Sequence, residues 1–303
     1  MKALLAPWLL AARLRTLPLS LAGIVLGNGY ALASHRFDGI IFGLACCTTI
    51  AFQVLSNFAN DYGDGIKGTD NDQRIGPDRA LQKGLISANA MRRAIQINAF
   101  VALVFSALLI GYSFSSHQWL EISFFLFLGI ASIIAAIKYT VGSNAYGYYS
   151  LGDIFVFLFF GGVSVIGSYY LQTQDFPAFI VLPAIAVGAL STAVLNLNNM
   201  RDVENDRAMA KMTLAVRLGL GRAKYYHLSL IGIAAIAAIV YVVLKQPFFS
   251  GGLFLAAFIP LVFHLKRVFN VTSPKDFDPE LKIVALTTFG LSIFWSLNLY
   301  FMA

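Results

Sequence analysis

Apolar runs recur along this chain from about residue 17 to its end, with only short interruptions between them. A hydrocarbon core about 30 Å thick needs roughly 20 mostly apolar residues per helix, and nine runs meet or approach that length. They cover about 17 to 34, 39 to 57, 94 to 114, 119 to 137, 151 to 171, 178 to 198, 226 to 244, 248 to 265 and 283 to 302. Charged residues are only 12% of the 303 against about 25% in a soluble domain, and 58% are hydrophobic, which excludes an ordinary soluble fold. The expectation is an all-α integral membrane protein of nine transmembrane helices, forming a single membrane-embedded domain over residues 1–303.

The charged residues are distributed unevenly between the two sides. With a cytoplasmic N-terminus, 20 of the 22 Lys and Arg fall inside and only Arg36 and Lys245 outside, which fixes the predicted orientation by the positive-inside rule. Acidic residues are nearly neutral toward orientation, yet 12 of the 15 lie on that same side. Topology alone does not require this. The net charge of +7 therefore reflects topology and a site, not a nucleic-acid partner.

The flanks and the minor residues add limits. Trp8, Arg13 and Arg15 precede the first run and suit an interfacial helix; no small-residue cleavage site marks a signal peptide. Cys46 and Cys47 are adjacent in an apolar run and give no disulfide framework. His35, His117, His227 and His264 show no metal-ligand spacing and read as interfacial. Gly161 and Gly162 suit close helix packing more than phosphate binding.

Two acidic clusters follow the second and sixth runs, at 57–70 and 198–206. Asn57, Asn60, Asp61 and Asp64 fall within an arc of about 100° if the helix continues, with Gly65 and Gly68 ending it and Asp70 on the loop beyond. Asp202 and Asp206 form an i,i+4 pair with Asn198 one turn earlier, and two like charges at that spacing repel unless a cation lies between them. Carboxylates and amide oxygens suit Mg²⁺, which shares its shell with substrate phosphates. Lys67, Arg74, Arg79, Lys83, Arg201, Arg207 and Lys211 surround them and suit phosphate oxygens. Solvation alone accounts for one acid at a helix end; it accounts poorly for two such clusters at matching depth.

In this order, these residues resemble the UbiA superfamily of membrane prenyltransferases, and within it the members that prenylate 1,4-dihydroxy-2-naphthoate. The resemblance is carried by 14–19 (LRTLPL), 56–84, 139–153 (YTVGSNAYGYYSLGD) and 195–219. It implies a nine-helix UbiA-type bundle in a bacterial inner membrane, with its active site toward the cytoplasm and no obligate protein partner. Its substrates would be a polyprenyl diphosphate and 1,4-dihydroxy-2-naphthoate, drawn from surrounding membrane lipid and cytoplasm. Asp61, Asp64, Asp70, Asp202 and Asp206 would hold Mg²⁺. Asp64, Asp202, Asp206 and Asp153 would serve catalysis. Asn57, Asn60, Lys67, Arg79, Lys83, Tyr139, Asn198, Arg201 and Lys211 would bind substrate.

The sequence departs from the superfamily pattern in two places. The commoner first motif ends in an acid where Gly68 stands here, with Asp70 two residues later; a Tyr-x-x-x-Lys pattern is broken by Ser143 four residues after Tyr139, leaving Lys138 as a replacement or as an interfacial, snorkelling Lys. The resemblance also implies shielding of an allylic cation by aromatic faces, drawn from Tyr62, Tyr139, Tyr146, Tyr148 or Tyr149. Arg13, Arg15 or Lys83 would hold the acceptor carboxylate, and Asp153 is an acceptor-orienting base or an N-cap. The open alternatives are another aromatic acceptor such as 4-hydroxybenzoate, or a cation-coupled secondary transporter. Transporter sites lie near the bilayer midplane, whereas these acids are at helix ends.

Overall fold

The computed structural model describes residues 2–245 and 252–303, and among them the regular structure is all helical, without a strand. Among the described residues, nine helical spans are long and apolar enough to cross a membrane: Leu5–Ala33, Gly39–Ile66, Ala88–Ser113, Trp119–Lys138, Gly152–Thr173, Ala178–Arg201, Leu214–Lys245, Leu253–Asn270 and Pro274–Met302. They are numbered here as spans 1 to 9. The protein is a multi-pass membrane protein.

Helices outrun the apolar patches that betray them. Span 2 continues past its apolar run through Asn57, Asn60, Asp61 and Asp64 to Ile66, stopping at Gly68, whose φ of 74° suits a residue without Cβ. Span 7 starts at Leu214, ahead of its apolar run, because Arg217, Arg222 and Lys224 lower the hydropathy of its first turns, and it is two helical stretches joined at a kink at Gly219 (φ 75°, ψ 157°). The predicted start of the eighth helix, at 248, lies outside the described residues.

Span 6 is the most buried span and the axle of the bundle. Its Ala184, Ala186, Gly188, Ala189 and Ala193 let backbones approach, the interface that membrane helices use. At Gly161 of span 5 an added Cβ would lie 2.4 Å from the Ala184 carbonyl oxygen and 2.9 Å from the Gly188 Cα, so the packing role expected of Gly161 is observed; a Cβ added at Gly162 would meet no other element within 4 Å, and the same role is not seen there. Span 5 opens into a π-helix at Phe157–Gly167. Around span 6, Leu26, Tyr30, Val165, Leu190, Tyr241 and Trp295 join spans 1, 5, 6, 7 and 9 in one core. Spans 2 to 4 pack through smaller clusters about Leu55 and Met91 and about Ile110 and Phe125.

The two ends of the bundle differ as the charge count requires. At one end Arg36 donates to the Thr173 carbonyl, Gln172 meets Asp38 and Gln118 meets Gln174. At the other, the acidic motifs and nearly all the basic residues converge. Two histidines correct the sequence reading. His227 and His264 are fully buried, not interfacial, with their Nε2 atoms 2.7 Å apart, while His35 and His117 are exposed. The mean apolarity of their helices hid this pairing, because the partner lies on another span.

Candidate active site at the acidic end of the bundle

The last three turns of span 2 present the first motif. Asn57 spends its amide on the Ala12 carbonyl (2.8 Å) and Thr16 hydroxyl (3.2 Å), tying down the break between the N-terminal helix and the rest of span 1. That break is Arg13, held at φ 49°. Asn60 accepts from the Thr140 hydroxyl at 3.3 Å, and Gly63 lets Thr140 approach, since a Cβ there would lie 2.6 Å from its Oγ1. Asp61 is fully buried; its Oδ2 accepts from the Ala80 amide at 3.2 Å and its Oδ1 has no hydrogen-bond partner.

The second motif faces it. Asp202 and Asp206 are buried while Glu204 and Arg207 are exposed, the periodicity expected of a helix with one inward face. Asn205 donates to the Thr69 carbonyl at 2.8 Å and so joins the two motifs directly. Two cations bridge the rest. Lys211 Nζ lies 3.1 Å from Asp64 Oδ2 and 3.9 Å from Asp206 Oδ1; Arg74 lies 3.1 Å from Asp70 and 3.4 Å from Asp202. Each bridge takes one acid from each motif.

Charge balance differs from acid to acid. Burial raises Asp202 less than Arg201 and Arg74 lower it: Arg201 grips it through Nε at 3.0 Å and Nη2 at 2.7 Å, and its carboxyl lies below the usual range. Burial and neighbouring Asp64 push Asp70 up to about 7 despite Arg74. Burial likewise pushes Asp206 up to about 7, and Lys211 only partly offsets it. Lys211 itself is pushed up, because Asp64 and Asp206 outweigh the burial that would lower it. At Asp70 and Asp206 burial outweighs the positive charge nearby.

The bridges mark the places where another cation would be attracted. Among the described residues no three His, Cys, Asp or Glu side chains form a ready-made metal cluster. Even so, the donor set is all hard oxygen, Asp61 Oδ1 lacks a hydrogen bond, and the Asp64 and Asp206 oxygens converge on one positive point. These residues fit a divalent cation.

Beside the acids opens an apolar cavity of about 330 Å³ between spans 1 to 6. Gln53, Asn57 and Asn60 line its polar mouth with Tyr139 and Tyr146, and Ile110 and Leu171 line its far part. Along span 2 it runs from Asn60 to Ala45, about 22 Å of helix. Phe155 stacks on Tyr146 at 4.1 Å, continuing the aromatic wall.

A chain with two facing acidic motifs above an apolar cavity in nine spans matches a known family. The sequence profile described as UbiA prenyltransferase family aligns with residues 17–286. The chain belongs to the UbiA prenyltransferase family. It is 42% identical over 294 residues to 1,4-dihydroxy-2-naphthoate octaprenyltransferase of Haemophilus influenzae, covering 96% of this chain and 95% of that one. It is 38% identical to the protein of that name from Mycobacterium tuberculosis, covering 78% and 77%. The UbiA homolog from Archaeoglobus fulgidus, solved bound to GPP and Mg²⁺, superposes with a TM-score of 0.69 at 14% identity, over 97% of this chain and 99% of that one.

The other sequence-derived UbiA site residues are placed unequally. Asn198 accepts from Arg201 Nη2 at 2.8 Å, and Arg201 also reaches Asp278. Arg79 approaches Asp70 at 3.5 Å, and Lys67 stands 3.9 Å over the Tyr148 ring. Lys83 is not brought in: nearly half exposed, it pairs with Asp78 at 3.3 Å. Asp153 is in the first turn of span 5, and the N-cap is Leu151; its carboxylate accepts from Tyr226 at 3.2 Å. Tyr149 and Lys138 are exposed. Sequence reasoning missed the bridging place of Arg74, for which its i,i+4 spacing from Asp70 was the available signal. It also missed Gln53 and Tyr226, for which there was none.

Proposed function

We propose that this chain transfers a polyprenyl group from a polyprenyl diphosphate to 1,4-dihydroxy-2-naphthoate, releasing diphosphate and CO₂ and giving demethylmenaquinol, the reduced form of demethylmenaquinone. It acts as one domain over 1–303, N-terminus and acidic end toward the cytoplasm, in a bacterial inner membrane. The observation that carries this reading is the convergence of both acidic motifs on shared cations at the mouth of an apolar cavity. The acceptor is supported by the names of relatives aligned over nearly the whole chain, which also favour an eight-unit donor.

Asp61, Asp64, Asp70, Asp202 and Asp206 would hold Mg²⁺, which when bound neutralises charge developing on a leaving diphosphate. Arg74, Arg79, Arg201, Lys67 and Lys211 pair with the diphosphate oxygens and lower the cost of breaking the allylic C–O bond. The tail lies in the apolar cavity, whose walls exclude water from the allylic cation. Faces of Tyr139 and Tyr146 at the mouth stabilise that positive charge. The acceptor carbon bearing the carboxylate attacks, a C–C bond forms, and loss of CO₂ returns the electron pair of the broken bond to the ring. Asp153, held by Tyr226, lies one residue from Gly152, whose added Cβ would be 3.3 Å from the Tyr139 hydroxyl; from there it orients an acceptor hydroxyl.

The test uses purified protein in detergent with Mg²⁺, radiolabelled octaprenyl diphosphate and 1,4-dihydroxy-2-naphthoate, following prenylated product and CO₂ together. Both products are expected, and both should vanish with EDTA. Prenyl transfer to 4-hydroxybenzoate alone would move the acceptor. No transfer to any aromatic acid by folded protein would sink the reading.

A further inference from the structure

The loop between spans 4 and 5 carries three tyrosines within four residues, and the structure gives each a separate place. Tyr146 lines the cavity and Tyr149 is exposed. Tyr148 places its hydroxyl 2.8 Å from Asp64 Oδ1 and 2.7 Å from the buried Thr69 hydroxyl. A phenol has one proton to give, and an ionised carboxylate only accepts. Tyr148 therefore donates to Asp64, and Thr69 donates to Tyr148. The Thr69 carbonyl in turn accepts from Asn205 of the second motif.

We infer that Tyr148 is the positioning residue for Asp64, the middle link of a hydrogen-bond chain that sets one motif's carboxylate against the other motif. This rests on the reading of the acidic end as a metal and diphosphate site. Lys211 takes the other oxygen, Asp64 Oδ2, at 3.1 Å, so the carboxylate is held at both ends and its plane is fixed. The two holders come from different loops that are stitched together. The Met212 amide donates to the Tyr148 carbonyl at 3.2 Å, and the Ser150 hydroxyl donates to the Met212 carbonyl. Lys67, 3.9 Å over the Tyr148 ring, adds a cation–π contact that a phenylalanine would keep. Partners that orient a metal-ligating carboxylate change metal affinity by about 10- to 100-fold when removed.

The experiment compares full-length wild type with Tyr148→Phe in detergent. Mn²⁺ binding is titrated by electron paramagnetic resonance in the presence of inorganic diphosphate, alongside the thermal unfolding midpoint. Expected is Mn²⁺ affinity weakened about tenfold or more, with the midpoint nearly unchanged. Thr69→Val should shift affinity the same way by less, and Thr69→Ser should restore it. Wild type that binds Mn²⁺ with Tyr148→Phe within twofold of it would overturn the inference and leave the site intact. A lowered midpoint with unchanged affinity would do the same, by making the contact merely structural. If Tyr148→Phe does not fold, Thr69→Val decides, and unchanged affinity there overturns the inference. Wild type that takes up no Mn²⁺ would overturn the site reading itself, and this inference with it.

Discussion

Two buried polar regions stand in the same half of this bundle, and they are built on opposite principles. In the first, His227 of span 7 meets His264 of span 8, which meets Glu280 of span 9, which is gripped by Arg267 at 2.6 and 3.1 Å. This is a linear chain in which the carboxylate is matched by its own guanidinium, ending at His227 Nδ1, which has no hydrogen-bond partner. In the second, four aspartates from two motifs share their cations, a fifth, Asp61, has one oxygen without a hydrogen bond, and Asp70 and Asp206 rise to about 7 because burial outweighs the positive charge nearby. Membrane-depth polarity is costly in either case. Where the charges are closed among themselves the cost stabilises a helix arrangement; where they are left open it creates demand for a ligand.

That contrast can be broken at either end. The largest effect should come from Asp64→Asn or Asp202→Asn, each expected to lower kcat/KM for prenyl transfer by about 10²–10³-fold or more; Asp202→Asn should also lower the unfolding midpoint, because it leaves buried Arg201 without that carboxylate. Turnover within twofold of wild type in either variant would erase the distinction between the regions. Lys211→Met removes a bridge between the motifs and should lower kcat/KM for the donor about tenfold to a hundredfold, about 1.4–2.8 kcal/mol, read by steady-state kinetics at fixed acceptor. Glu280→Gln should do the reverse. Leaving Arg267 and the histidine pair without their carboxylate should cost about 3 kcal/mol of stability, seen as a lower midpoint in thermal melts, while KM for the donor stays put. A raised KM without destabilisation would place the histidine chain in the active site. The smallest effect belongs to Lys83→Ala, expected to leave kcat/KM within about twofold because its partner is the exposed Asp78 and exposed pairs are worth little.

The fold was legible where one physical rule governs a whole segment. Apolar runs of membrane length and the sidedness of Lys and Arg depend on no partner, and all nine spans appear, with the acidic motifs and the basic loops at one end. Within the site, the inward faces of Asp61 and Asp64 and of Asp202 and Asp206 followed from helical periodicity. What stayed hidden depends on two segments meeting. Nothing in the spacing told Tyr148 from Tyr146, or sent Lys83 to Asp78 while Arg79 reached Asp70. The histidines were misread for the same reason: His227 and His264 are 37 residues apart, and each alone has the neighbours of an interfacial residue.

The wide-wound stretch of span 5, Phe157–Gly167, lines the cavity with Phe159, Phe160, Val163 and Ser164. Bonding from i to i+5 holds a surplus residue compared with an ordinary helix of equal length. Such a wall is a ready place for lineages to change by one codon. Deleting a single residue there would restore the tighter winding while the flanking turns keep their register, so that only the side chains within the wide stretch change places. The bore would then present a different profile to its occupant while both ends of the helix kept their anchors.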